Sequence, residues 1–140
     1  MMAAIRLNYD VPGDDFTRAG EASADLKARM KKLGMPSEGL RRAAIALYEG
    51  EINLAIHAGG GQILVELGPD KVEMTLTDQG PGIADIGLAM SEGYSTAPDE
   101  VRSLGFGAGM GLPNMKRYSD DFEIESELGK GTRVFMRVNF

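Results

Sequence analysis

The chain has 140 residues, 43% of them hydrophobic, with no cysteine and one histidine, and its 21 acids and 15 bases leave a net charge of −6. That length and composition fit one domain able to bury a core without disulfides or structural metal, and the sequence is read as a single unit over residues 1–140. Missing cysteine excludes disulfides, thiolate nucleophiles and Cys-based zinc sites, and one histidine cannot build a His-rich metal centre. The acidic balance argues against nucleic acid, which asks for a basic excess. No apolar run reaches the length of a membrane span and no export signal opens the chain, so a cytoplasmic compartment is expected.

In chain order, Ile5, Leu7 and Tyr9 alternate with Arg6 and Asn8, the period of a half-buried strand that is short and suited to a sheet edge. Asp14 or Asp15 is expected to cap a helix starting near Phe16, with Leu26, Met30 and Leu33 on its apolar face, until Gly34 and Pro36 stop it. Ser37 is expected to cap a longer helix whose apolar face is Leu40, Ala43, Ala44, Leu47, Ile52, Ala55 and Ile56, ending at the glycines 59 to 61. Alternation at Ile63, Val65 and Leu67, the turn Gly68-Pro69-Asp70, and alternation at Val72, Met74 and Leu76 predict a hairpin. A turn from Asp78, a short helix over 84–90 and a polar loop over 92–103 follow. A helix from Leu112 to Tyr118 comes next, then strands around 122–126 and 133–138 joined by Gly129-Lys-Gly-Thr. This order predicts an α/β sandwich of two layers, one sheet with its helices on one face.

Between the loop and the last helix, glycine occupies positions 105, 107, 109 and 111, with Phe106, Ala108 and Met110 between. A linker would be padded with serine and charge. Glycines leading into a helix leave backbone N–H groups open to phosphate, and that reading is favoured. Two nucleotide fingerprints fail. Gly129-Lys130-Gly131 has Ile124 where a P-loop needs its first glycine and leads into a strand. The dinucleotide pattern puts Met110 where its last glycine belongs, and no strand directly precedes it. Gly93-Tyr-Ser-Thr-Ala97 only approximates a serine-hydrolase elbow.

Four ordered segments remain: Glu49-x-x-x-Asn53, Asp78-x-Gly80-x-Gly82, the glycine run, and Gly129-x-Gly131-Thr132. Together they resemble the N, G1, G2 and G3 boxes of the GHKL superfamily of ATP-binding proteins, across roughly residues 38–138. Asp78-Gln-Gly-Pro-Gly-Ile, Gly93-Tyr-Ser-Thr, Gly111-Leu-Pro-Asn-Met-Lys-Arg117 and Asp121-Phe-Glu-Ile-Glu-Ser126 are similar, within it, to the bacterial switch-protein kinases of partner-switching systems that control sigma factors. The resemblance implies a Bergerat-type fold with a mixed, mostly antiparallel sheet. It also implies ATP and Mg²⁺, and a STAS-domain partner of the anti-sigma-factor-antagonist type; the alternative is an anti-sigma factor that sequesters a sigma factor with the same ATP site. A homodimer through the first strand's edge is open as well.

The resemblance places Glu49 as catalytic residue. Asn53, Asp78, Gly80, Gly82, Gly105, Gly107, Gly109, Met110, Gly111, Leu112 and Thr132 fall at the nucleotide. Glu49 and Asn53, four apart, share a helix face, which an exposed polar face would also explain. Asn53 offers a neutral amide oxygen suited to Mg²⁺, and Glu49 a carboxylate that can take a hydroxyl proton. Glu51 points about 200° around the helix from Glu49. Gly50 costs the helix about 1 kcal/mol relative to alanine, so another element is expected close by. Asp78 accepts but cannot donate, so it suits the amine of adenine and not the carbonyl of guanine; a turn aspartate fits the same spacing. The resemblance brings Thr132 to the same base edge and makes 92–111 an ATP lid, with Arg102 directed to the terminal phosphate. Lys116 and Arg117 serve phosphate, partner or solvent, and His57 is taken as a packing residue.

Overall fold

The computed structural model describes residues 5–13, 18–83, 90 and 111–140. Five strands form one sheet: β1 (Ile5–Pro12), β2 (Gly60–Leu67), β3 (Lys71–Thr77), β4 (Asp121–Glu127) and β5 (Gly131–Asn139), in the spatial order β1-β2-β3-β5-β4. Each of the four pairings among the described residues is antiparallel, in keeping with the mostly antiparallel sheet that the resemblance implies. Among the described residues three helices accompany it: α1 (Glu21–Lys32), α2 (Ser37–His57) and α3 (Gly111–Arg117).

The two-residue period of the strands decides which face is covered. Leu7, Val65, Met74, Met136 and Phe122 stand in one row across the sheet, and Tyr9, Ile63, Leu76, Val134 and Ile124 in the next. All ten belong to the core or pack against it. The opposite face carries Arg6, Glu66, Glu73, Arg137 and Asp121 in register, a row that is largely charged. Helix α2 contacts β1, β2, β3 and β5, and α1 and α3 contact α2. The hydroxyl of Tyr9 ties β1 to α1, donating to Asp25 Oδ2 at 2.6 Å.

Several expected boundaries move. Helix α1 begins at Glu21, not near Phe16, after Gly20 at φ +107°, and Asp14 and Asp15 lie outside the described residues. The cap comes from another helix: Glu51 accepts the N–H of Ala22 (2.9 Å) and of Ser23 (3.1 Å), meeting two of the donors that a helix start leaves open. Ser37 is the first helical residue rather than the cap. Pro36, with ψ 133°, holds that position, and its carbonyl accepts the Leu40 N–H. On α2 the core takes Ala46 and Leu54, while Ala44 and Ile56 are half-buried. Strand β1 is an edge, as expected, but runs eight residues. The short helix over 84–90 and the loop over 92–103 fall on residues of which only Met90 is described. No described helix is long and apolar enough to cross a membrane.

Candidate functional site

Helices α2 and α3 meet in an antiparallel seam. Arg41 lies over the Tyr118 ring, 5.8 Å from its centroid. Two turns on, Asn114 Nδ2 donates to Glu49 Oε1 at 3.4 Å. One further turn on, Gly111 abuts Asn53: a methyl on Gly111 would lie 2.8 Å from Oδ1 of Asn53. The last glycine of the run is thus what lets the two helices close over the asparagine amide. Gly50 serves packing, since any side chain there would collide with Leu76 and press on the Met115 sulfur.

At the Asn53 end the seam opens into a cleft of about 510 Å³, counted to its open mouth. Gly50, Asn53, Leu54 and Ala58 line one wall, Leu112 and Met115 a second, and Asp78, Gly82, Ile83, Thr132 and Val134 the floor and far side. Strand pairing brings the distant pieces together: β3 and β5 place Thr77 opposite Arg133, so Asp78 and Thr132 become neighbours. The Asp78 N–H donates to the Thr132 carbonyl at 3.0 Å. In return Asp78 Oδ1 accepts the N–H of Gly80 (2.9 Å) and of Thr132 (3.2 Å). The turn contacts of Asp78 therefore fall on Oδ1, and no described residue donates to Oδ2. Gly82, at φ +79°, faces the backbone of Glu127, where any side chain would collide.

The Thr132 hydroxyl pairs with Ser126 Oγ at 2.7 Å. Ser126 also accepts the Ile83 N–H at 2.7 Å, which holds the Gly80 to Ile83 turn against the end of β4. Sequence reasoning assigns no role to Ser126 or Asn114. The signal for each is its register opposite Thr132 or Glu49, which needs the fold.

Glu49 is half-buried, and this burial pushes its carboxyl above the usual glutamate range, while the Asn114 amide pulls it part of the way back. A carboxyl so placed is a stronger proton acceptor than a solvated one. Glu51, two residues on, is 2% exposed and belongs to the α1 cap, not to the cleft. The cleft therefore brings together Asn53, Asp78, Gly82, Leu112 and Thr132, with Gly111 against Asn53 and Gly80 packed on Ala58, while Glu49 lies one helical turn from Asn53 and is held by Asn114 rather than lining the cleft. Gly105, Gly107, Gly109, Met110 and Arg102, and the side chain of His57, lie outside the described residues. Lys116 and Arg117 are exposed at the end of α3.

Comparison with known proteins agrees with this arrangement. The model of the histidine kinase-, DNA gyrase B-, and HSP90-like ATPase family matches residues 39–140. The chain is 36% identical to the serine/threonine-protein kinase RsbT of Bacillus subtilis over 108 residues, covering 74% of this chain and 75% of that one. It is 35% identical to the anti-sigma F factor of Clostridium beijerinckii over 101 residues, 68% of this chain and 67% of that one. A further anti-sigma F factor, from Clostridium botulinum, is 36% identical over 104 residues, covering 74% and 66% respectively. With Asn53, Asp78, Gly82 and Thr132 lining one cleft, Gly111 against Asn53, and the family match covering residues 39–140, the chain belongs to the histidine kinase-, DNA gyrase B- and HSP90-like ATPases.

Proposed function

We propose that the chain is a cytoplasmic, ATP-dependent serine/threonine protein kinase of a partner-switching pathway, acting on a STAS-domain protein of the anti-sigma-factor-antagonist type. The observation that carries this reading is Glu49: a half-buried carboxylate one helical turn from Asn53, which lines the cleft where Asp78 and Thr132 meet.

Asp78 accepts the amine of adenine through Oδ2, held in place by the two backbone donors on Oδ1. Thr132 completes that edge, oriented by Ser126. The amide oxygen of Asn53 would hold Mg²⁺; a single neutral oxygen fits an ion whose other ligands come from phosphates and water. When bound, the ion neutralises charge on the phosphates. Glu49 takes the proton of the acceptor hydroxyl as that oxygen forms its bond to the γ-phosphorus. The bond from that phosphorus to the β–γ bridging oxygen breaks, and ADP leaves. The new phosphate adds charge to the acceptor at the docking surface and separates the two proteins. The free edge of β1 is where a second copy would add strands to form a dimer.

Incubation with Mg-ATP and the STAS-domain proteins of the source cell, followed by mass spectrometry, is expected to show phosphoserine or phosphothreonine on one of them; none on any would overturn the reading. A second reading, an anti-sigma factor that sequesters a sigma factor, rests on the similarity to proteins of that name. Direct capture of a sigma factor by the purified chain would favour it.

A further inference from the structure

In the kinase reading, on which any docking surface for an acceptor rests, the acceptor hydroxyl must reach Glu49 while the cleft at the Asn53 end holds the nucleotide. Among the described residues, the side of Glu49 away from the cleft is the seam running toward Arg41 and Tyr118, and the acceptor's polypeptide is placed there. That stretch is unlike an ordinary helix surface. On α2, Ile45 lies one turn before Glu49 and is half-buried, and Tyr48 beside it is 39% exposed. The Tyr48 ring packs over Gly20, where a methyl would stand 3.2 Å from it, so the ring is held down at its base and open at its rim. An anchored, part-exposed aromatic ring next to an apolar neighbour is the composition of an interface hot spot.

Charge selects the partner. Arg41 on α2 and Lys116 and Arg117 on α3 are all exposed around this stretch, in a chain whose net charge is −6. The nearest other acid on the outward side of α2, Glu38, is paired with Arg42 at 3.3 Å. The outer sheet face carries both signs, Arg6 and Arg137 among them, and its acidic part is the β4 edge, where Asp121, Glu123, Glu125 and Glu127 are all exposed, Asp121 paired with Arg137 and Glu127 with Lys130. An acidic partner is therefore steered to the Glu49 rim and away from that edge.

We propose that the acceptor protein docks on Arg41, Ile45, Tyr48 and Arg117, through a segment that places an apolar side chain on Tyr48 and Ile45 and a carboxylate against Arg41, with its hydroxyl between them at Glu49. Tyr48 and Arg41 are specificity determinants; they set which protein is phosphorylated and leave adenine recognition to Asp78.

The test uses the STAS-domain protein phosphorylated by the wild-type chain, measuring its affinity in the presence of ADP for wild type, Tyr48→Ala, Arg41→Glu and, on the outer face, Glu123→Lys. Nucleotide affinity is titrated in parallel. Tyr48→Ala and Arg41→Glu are each expected to weaken acceptor binding about tenfold more than nucleotide binding, while Glu123→Lys does not. Reversing one acceptor carboxylate to lysine is expected to restore binding to Arg41→Glu. Wild-type affinity in both variants would overturn the docking surface and leave the kinase reading standing on the wild-type phosphotransfer. Equal losses of acceptor and nucleotide would make the two residues structural and overturn it likewise. A wild-type chain that phosphorylates no STAS-domain protein overturns the kinase reading, and the docking surface with it.

Discussion

Asn114 of α3 donates its side-chain amide across the seam to Glu49 of α2 at 3.4 Å, and this bond opposes the burial that raises the Glu49 carboxyl. The two effects have opposite signs and act on one group. Replacing Asn114 with alanine removes the lowering influence, so the acid limb of the phosphotransfer pH profile is expected to move to higher pH. A limb that stays in place would show that Asn114 does not act on the base.

Glu49→Gln keeps an oxygen for the Asn114 amide but cannot take a proton. Phosphotransfer is expected to fall about 10²- to 10⁴-fold, with ATP still bound, in single-turnover assays. Stability should move the other way. Because the folded pKa of Glu49 lies above its unfolded value, the folded state holds the proton more tightly. Its contribution is most favourable below the ordinary glutamate pKa and declines as pH rises through the raised one. At neutral pH the wild type carries the desolvated charge, so Glu49→Gln is expected to unfold at a higher temperature than wild type, and the gap should close in acid.

Asp78→Asn separates structure from recognition. The asparagine oxygen can still accept from Gly80 and Thr132, so the turn is expected to persist, whereas the charge offered to adenine is lost. A charge-assisted bond of about 1.5–3 kcal/mol corresponds to roughly 10- to 150-fold in ATP affinity. Titration calorimetry with ATP and GTP reads both affinity and selectivity.

Glu51→Ala leaves the N–H groups of Ala22 and Ser23 without their acceptors in a buried setting. A destabilisation of about 2–4 kcal/mol is expected, read as a lower urea midpoint, while an acid on the exposed side of α2 such as Glu38 should cost little.

Much of the fold is legible from local pattern. The β2–β3 hairpin follows from alternation on both sides of Gly68-Pro69-Asp70, and α2 from its long apolar stripe. The features that escape are those set by distant partners. Helix α1 starts later than its own sequence predicts because its cap is supplied 29 residues later by Glu51, a residue that by helical angle alone is only a neighbour pointing away from the site. Asn114 finds Glu49 across 65 positions, and only the antiparallel seam brings them together. For the site itself, the resemblance of the ordered segments points to Asp78 and Thr132 separately. Their backbone exchange and the Ser126 support come from the β3–β5 and β4–β5 registers, which no local pattern records.

The strand order carries a consequence for biosynthesis. Strand β5 is the last element in the chain yet sits inside the sheet, between β3 and β4, and it brings Thr132 to Asp78. A ribosome-bound chain that stops short of residues 131–139 has Glu49 and Asp78 but no strand to bring Thr132 against Asp78. The cleft wall that Asp78 and Thr132 share therefore cannot form until β5 has been made, after every other described element, so the cleft is completed by the strand that also closes the sheet.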